Sequence, residues 1–268
     1  MTAHSEESAP AGGIGAIVAV GLAAGLLSGI FGVGGGILIV PGLVFFAKMD
    51  QRLAHGTSLA AVLPISVSSL VTYWAHDHVD WNVALFLVIG AVAGALLGTK
   101  LLKTARHDFL SIGFATLLLV SAVRLYWSAS ASGRDDLTIL MGLGLIIVGL
   151  ATGVLAGLLG VGGGVVMIPA MMVLLGLPNV IAKGTSLAVI IPTAITGTYR
   201  NRAAKNVDLR AAAIIGGGGI VSAVLGGWIS SRLSDTVSNA LFASLLVIVA
   251  TKLILQESRR RWSKAPIQ

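Results

Sequence analysis

Cysteine is absent from this sequence, and charge is scarce. Without a thiol there can be no disulfide and no thiolate-bound metal. Charged residues make up 11% of the chain and aromatics 6%, whereas a water-soluble domain carries about 25% charged residues. A fully hydrated surface cannot be built from so little charge. No zinc pattern, carboxylate pair or nucleophile–base–acid constellation falls within the apolar runs, so neither a metal nor a cofactor is expected.

What is present instead is apolar length. Hydrophobic residues make up 56% of the chain and the mean hydropathy is +0.94. Uncharged runs such as 82–99 and 137–159 reach the roughly 17–25 residues that cross a bilayer as helix. The expected fold is an all-α polytopic membrane protein. A net charge of +7 would point to nucleic acid in a soluble protein. Here the basic residues lie between apolar segments, so membrane orientation accounts for them and no nucleic-acid partner is expected. Residues 1–12 lack the basic start of a cleavable signal and are expected to form a disordered polar tail.

The chain repeats itself at an offset of 128. Gly25–Ala60 aligns without gaps on Gly153–Ala188, with fifteen identities in thirty-six positions. GVGGG falls on GVGGG, Pro41 on Pro169, GTSLA (56–60) on GTSLA (184–188), Pro64 on Pro192 and Asp80 on Asp208. Apolar segments match by chance, but shared prolines and polar residues at one offset mark a duplication. The first copy (13–128) divides into apolar segments near 13–31, 35–47, 56–75, 82–102 and 108–126. After a linker at 129–136, the second (137–256) divides near 137–159, 163–176, 184–199, 209–230 and 237–255, before a basic tail at 257–268. Five segments per copy, an odd number, make the copies enter from opposite faces. The expectation is two inverted-topology repeats of five hydrophobic segments, with helices broken at the paired GVGGG motifs.

Basic residues test that orientation. With the N-terminus inside, Lys48, Arg52, Lys100, Lys103, Arg106, Arg200, Arg202, Lys205, Arg210, Arg259, Arg260, Arg261 and Lys264 fall inside. Against those thirteen, Arg124, Arg134, Lys183 and Arg232 fall outside, while Lys252 lies within the last span. The bias follows the positive-inside rule and puts both termini in the cytoplasm. Whether the segments around each glycine cluster cross fully or dip and return stays open, since both leave the same parity.

Glycine disfavours a helix interior by roughly 1 kcal/mol against alanine, so its clustering inside two apolar segments calls for a reason. A helix broken within the bilayer exposes backbone groups that are tolerated only where protein or a water-filled cavity satisfies them. The half-helix that follows offers free N–H groups and a positive dipole end, a site for an anion. Gly32, Gly34, Gly35 and Gly36, with Gly160, Gly162, Gly163 and Gly164, are therefore candidates for two facing backbone cradles. The alternative is close helix packing, which is assigned to Gly21–Gly25–Gly29 and Gly90–Gly94–Gly98 from their four-residue spacing. A nucleotide-binding glycine loop fails because Ile37 stands where the last glycine belongs.

Thr57, Ser58, Thr185 and Ser186 stand at the start of the third segments. They are candidates either for capping those helices or for a functional role, donating to a bound oxyanion or coordinating a cation. His55 and Lys183 occupy equivalent positions just before them. They are expected to be solvated, with a role in gating or anion attraction as the functional alternative. Tyr199 and Arg200, in the basic stretch 198–208, are further candidates for a vestibule. In the matching stretch 72–80, His76, His78, Asp77 and Asp80 lack a shared helical face for a metal, and Tyr73, Trp74 and Trp81 suit interface anchoring.

GLLSGIFGVGGG (25–36) and GVLAGLLGVGGG (153–164), each followed by Val–Pro or Ile–Pro and then by Gly–Thr–Ser, resemble the TauE/SafE family of sulfite and organosulfonate exporters. The resemblance runs from residue 13 to 256. It implies a bacterial inner-membrane permease that moves small anions such as sulfite, sulfoacetate or aromatic sulfonates with proton coupling. The family motif maps onto Gly32–Gly36, Gly160–Gly164, Thr57, Ser58, Thr185 and Ser186. The expected function is secondary transport by alternating access around the broken helices. Its rivals are a passive anion channel and an intramembrane enzyme with Ser28 as nucleophile and His55 as base. The expected partners are a small anionic substrate, the lipid bilayer and protons, with self-association into a homo-oligomer left open.

Overall fold

The computed structural model describes residues 13–101, 116, 118–120, 122, 123, 138–160 and 162–262, and all regular structure among them is α-helical. The helices are α1 (Ile14–Phe31), α2 (Gly36–Phe46), α3 (Gln51–Trp74), α4 (Trp81–Leu101), α5 (Ile139–Leu159), α6 (Gly164–Leu175), α7 (Asn179–Ala203), α8 (Leu209–Ser230) and α9 (Asp235–Trp262). Among the described residues, α1, α3, α7 and α8, with Trp81–Gly98 of α4 and Ile139–Leu158 of α5, are long and apolar enough to cross a membrane. The chain is a polytopic all-α membrane protein. Most of the fifth apolar segment of the first copy, the linker at 129–136 and both terminal tails beyond 13–262 lie outside the described residues.

Local chemistry sets the helix boundaries. The carboxylate of Asp50 accepts from the Arg52 N–H at 3.0 Å, Asp80 from Val83 at 3.1 Å and Asp208 from Ala211 at 2.9 Å. Each supplies an acceptor that the first helical turn lacks. Two boundaries differ from the apolar segments. The third helices start at Gln51 and Asn179, ahead of the apolar stretch, and α9 continues to Trp262. Helix persists there through polar residues because hydropathy marks where lipid begins, not where hydrogen bonding stops.

Lipid tails are as apolar as leucine, so helices in a membrane associate through close packing of small residues rather than through water exclusion. A Cβ at Gly21 would lie 2.5 Å from the Ile215 carbonyl oxygen, and at Gly25 and Gly29 it would overlap the backbone of Gly219 and Ala223. Gly90, Gly94 and Gly98 meet the backbone at Ile146, Leu150 and Val154 in the same way. Residue numbers rise together across both interfaces, so α1 runs parallel to α8 and α4 to α5. Shifting each partner by 128 residues converts the first pairing into the second, so equivalent helices of the two copies make equivalent contacts.

Helices α3 and α7, which match at the 128-residue offset, pack against each other. Gly56 faces Asn201, Leu59 faces Gly197 and Tyr73 faces Gly184. Numbers rise on one helix as they fall on the other, so the two run antiparallel.

Candidate functional site

Both GVGGG motifs interrupt helix. Helix α1 stops at Phe31, where left-handed Gly32 (φ 68°) donates its N–H to the Ser28 carbonyl at 2.7 Å. Gly34 and Gly35 both sit at φ 78°, and helix resumes at Gly36. In the second copy Gly160 (φ 67°) donates to Ala156 at 2.9 Å, Gly162 and Gly163 have φ 84° and 77°, and α6 begins at Gly164. A left-handed backbone costs an L-residue roughly 1–2 kcal/mol, which is why these six positions are glycine. Gly36 and Gly164 are the first helical residues. At Gly164 crowding excludes a side chain, since a Cβ would lie 2.7 Å from the Ser186 hydroxyl.

The break turns the chain back on itself. Gly35 packs against Ala24 and Gly42 against Val20, so α2 returns along α1. With 11 residues α2 is about 16 Å long, roughly half of the ~30 Å hydrocarbon thickness. The first N–H groups of α2 and α6 have no acceptor within their own helices and carry the positive dipole ends.

The two breaks meet at one place. The space beside the Gly34 Cα is bounded by the Ser66 hydroxyl and Val62 Cγ1, both at 3.1 Å, and by Ile190 Cδ1 at 3.3 Å. The space beside Gly162 is bounded by Ile190 Cγ2 at 3.5 Å, with the Val33 carbonyl and Val62 Cγ1 at 3.7 Å. Val62 and Ile190 stand at equivalent positions of α3 and α7, so a single pair of residues touches both interruptions. Both interruptions therefore line one buried place, where the nearest polar atoms are the Ser66 hydroxyl and the Val33 carbonyl oxygen.

The GTSLA hydroxyls bond from one half of the chain to the other. They lie in the second turns of α3 and α7 and cap neither helix, because those helices start earlier. The Ser58 hydroxyl donates to the Gly160 carbonyl at 3.0 Å, and Ser186 donates to Gly32 at 3.1 Å. Thr57 and Thr185 accept from the backbone N–H groups of Asp208 and Asp80, both at 2.9 Å. Each half thus caps helix ends of the other. Leaving a buried acceptor without its donor costs about 1–3 kcal/mol. Ser58→Ala and Ser186→Ala are expected to destabilise by that amount each, read as lowered apparent Tm in detergent.

His55 and Lys183 are buried rather than solvated, at 7% and 1% exposure. They sit under the opposite half's break: a Cβ at Gly32 would strike the backbone and Cβ of Lys183, and one at Gly160 would strike those of His55. The Lys183 ammonium donates to the Ser238 hydroxyl at 2.5 Å and to Ser230 at 3.4 Å, and lies 5.8 Å from the centre of the Phe31 ring. No local pattern around Lys183 marks these contacts, because the serines come from α8 and α9, 47 and 55 residues along the chain.

Tyr73 is likewise buried and not an interface anchor. Its hydroxyl donates to the Gly29 carbonyl at 2.8 Å and pairs with Ser230 at 3.0 Å. Trp74 and Trp81 are exposed and meet edge to face at 6.0 Å. The rings of His76 and His78 stack at 5.9 Å, and His76 Nδ1 lies 2.8 Å from the Thr72 carbonyl. Burial and the charge of His76 hold the His78 pKa below its ordinary value. Tyr199 points outward at 76% exposure. Arg200 is half-buried in the last turn of α7, where a cation suits the negative helix end. The Ser28 hydroxyl is paired with Ser69 at 3.0 Å, whereas His55 packs at the other break, so the two form no nucleophile–base pair.

The profile of the family described as "Sulfite exporter TauE/SafE" matches residues 17–178 and again 145–268. The "Probable membrane transporter protein YunE" of Bacillus subtilis (strain 168) is 27% identical over 265 residues, covering 90% of this chain and 97% of its own length. The "Probable membrane transporter protein MJ0441" of Methanocaldococcus jannaschii is 30% identical over 190 residues, 68% of this chain and 69% of its own length. A "Probable membrane transporter protein" of Xylella fastidiosa (strain 9a5c) is 37% identical over 116 residues, but these are 42% of this chain and 44% of that protein.

Proposed function

The chain belongs to the sulfite exporter TauE/SafE family of membrane transporters, and on that premise we propose that it carries small anions, sulfite or organosulfonates, by alternating access. The substrate sits between the N-termini of α2 and α6, against the backbone of Gly34–Gly36 and Gly162–Gly164. Gly32 and Gly160 hold the helix ends on either side. The observation that carries this proposal is the convergence of both helix interruptions on Val62 and Ile190. Broken helices that meet at the interface of two repeats are the recurring means by which secondary transporters expose peptide groups to a substrate.

In this proposal the two halves lie in opposite orientations across a bacterial inner membrane, with both termini cytoplasmic. Support comes from the antiparallel packing of α3 on α7 and from the excess of Lys and Arg in the inside segments. Thr57, Ser58, Thr185 and Ser186 bind the halves together and so position the cradles. His55 and Lys183, buried at the two breaks, are the groups that change surroundings as the halves rock. Protons supply the driving gradient.

Counterflow into proteoliposomes tests the proposal. Uptake of sulfite or ethanesulfonate is expected to saturate, to be accelerated by the same anion inside, and to follow an imposed pH gradient. Flux that rises linearly and ignores internal anion makes the protein a channel. Transport of neither anion overturns the substrate class.

A further inference from the structure

Among the described residues one hydroxyl at the centre has no partner. Ser66 is fully buried, at 0% exposure, and its Oγ has no hydrogen-bond partner. Buried serines and threonines in helices usually donate back to a carbonyl one turn earlier. In this molecule Thr193 does so to Val189 at 2.9 Å and to Ile190 at 2.8 Å, and Thr196 does so to Pro192 at 2.8 Å. Ser66 makes no such bond. Its hydroxyl faces the left-handed turn at Gly34, 3.1 Å from where a Cβ would stand, two residues before α2 begins. A buried polar atom without a partner carries a desolvation penalty that nothing inside the protein offsets.

The position is also unsymmetrical. The residue equivalent to Ser66 in the second half, 128 positions on, is Ala194, which is buried and carries only a methyl. Two otherwise matched breaks therefore differ: the Ser66 hydroxyl on the α2 side has no partner, whereas the Ser186 hydroxyl beside Gly164 is already donated to the Gly32 carbonyl. An anion between the breaks gains a charge-assisted hydrogen bond by placing an oxygen toward α2.

We propose that Ser66 is a substrate-binding residue, the side-chain donor to one oxyanion oxygen of the sulfite or sulfonate group, and that it fixes that group on the Gly34–Ile37 side of the centre. This rests on the anion-carrier function proposed above. The ligand class is a compact oxyanion head, with any organic substituent directed away from Ser66.

The test is thermal unfolding of the full-length protein in detergent, titrated with sodium sulfite or sodium ethanesulfonate at constant ionic strength. Wild-type protein is expected to gain apparent stability by mass action. Without anion, Ser66→Ala should unfold at the wild-type temperature or higher, because an unpaired buried hydroxyl has been removed. It should then require about tenfold more anion, or more still, for the same gain, the usual effect of losing a hydrogen bond to a charged group. Ser69→Ala is the control. It breaks the Ser28–Ser69 pair, so it should lower the starting temperature and keep the wild-type response to anion. If Ser66→Ala titrates like wild type while wild type responds, the role of Ser66 is overturned and the anion site stands. If Ser66→Ala is unstable or unfolded without anion, the hydroxyl is structural and the assignment is likewise overturned. If wild type responds to neither anion, both the site and the assignment fall.

Discussion

Gly25→Leu is expected to leave no recoverable folded protein, while Gly217→Leu, a change of the same chemistry, leaves it at wild-type yield and stability. A Cβ at Gly25 would overlap the Gly219 carbonyl and lie 2.7 Å from the Gly219 Cα. Those are backbone atoms, so no rotamer change relieves the overlap and α1 must separate from α8. Overfilling a core ordinarily costs about 1–3 kcal/mol. Parting a glycine-lined helix pair forfeits contacts along its whole length and belongs with the exceptional losses above about 4 kcal/mol. A Cβ at Gly217 meets nothing within 4 Å. Size-exclusion profiles and unfolding temperatures of the two variants decide the matter, and a normal profile for Gly25→Leu would falsify the α1–α8 contact.

The second large effect is an inequality between equivalent glycines. Gly35→Ala and Gly163→Ala both force a left-handed alanine, at φ 78° and 77°, which costs roughly 1–2 kcal/mol. At Gly163 the new methyl lies 3.1 Å from the mobile end of Met167 and 3.2 Å from the Thr152 carbonyl, so Met167 can turn aside. At Gly35 it lies 2.6 Å from the Ala24 carbonyl, on the backbone of α1. Gly35→Ala should therefore be the less stable variant by about 1–3 kcal/mol, the usual range for overpacking. Both should also transport less than Ser58→Ala does when compared at equal folded amount, because they move the N-terminus of α2 or α6 itself. Equal unfolding temperatures for the two variants would show that the α1–α2 turn is more open than its geometry implies.

Much of the architecture was legible from local signals. The 128-residue offset located both helix breaks, and glycine marked them because left-handed backbone is a property of the single residue. The four-residue spacing of Gly21, Gly25 and Gly29 announced a packing face, although not that α8 would cover it. Helix ends were less legible where they left lipid, as at Gln51 and Asn179, because a capping aspartate or a polar first turn extends a helix without changing hydropathy. The buried state of Tyr73 and Lys183 was not legible either, since aromatics and cations near segment ends ordinarily face headgroups or water. One further signal in the sequence does point at the centre. Among many apolar matches, Ser66 against Ala194 is a polar mismatch between the copies, of the same kind as His55 against Lys183.

The sequence by itself determined residence in the membrane, the duplication and the two points where helix must stop, since apolar length, repeat offset and glycine conformation are properties of short stretches. Only the tertiary structure decided which groups satisfy one another. Ser58 reaches Gly160 across 102 residues and Ser186 reaches Gly32 across 154. Lys183 finds its serines on α8 and α9, and Ser66 is left facing Gly34 with no partner. Hydrogen-bond satisfaction in a low-dielectric interior depends on what the opposite half brings within about 3 Å, and no local pattern encodes that distance.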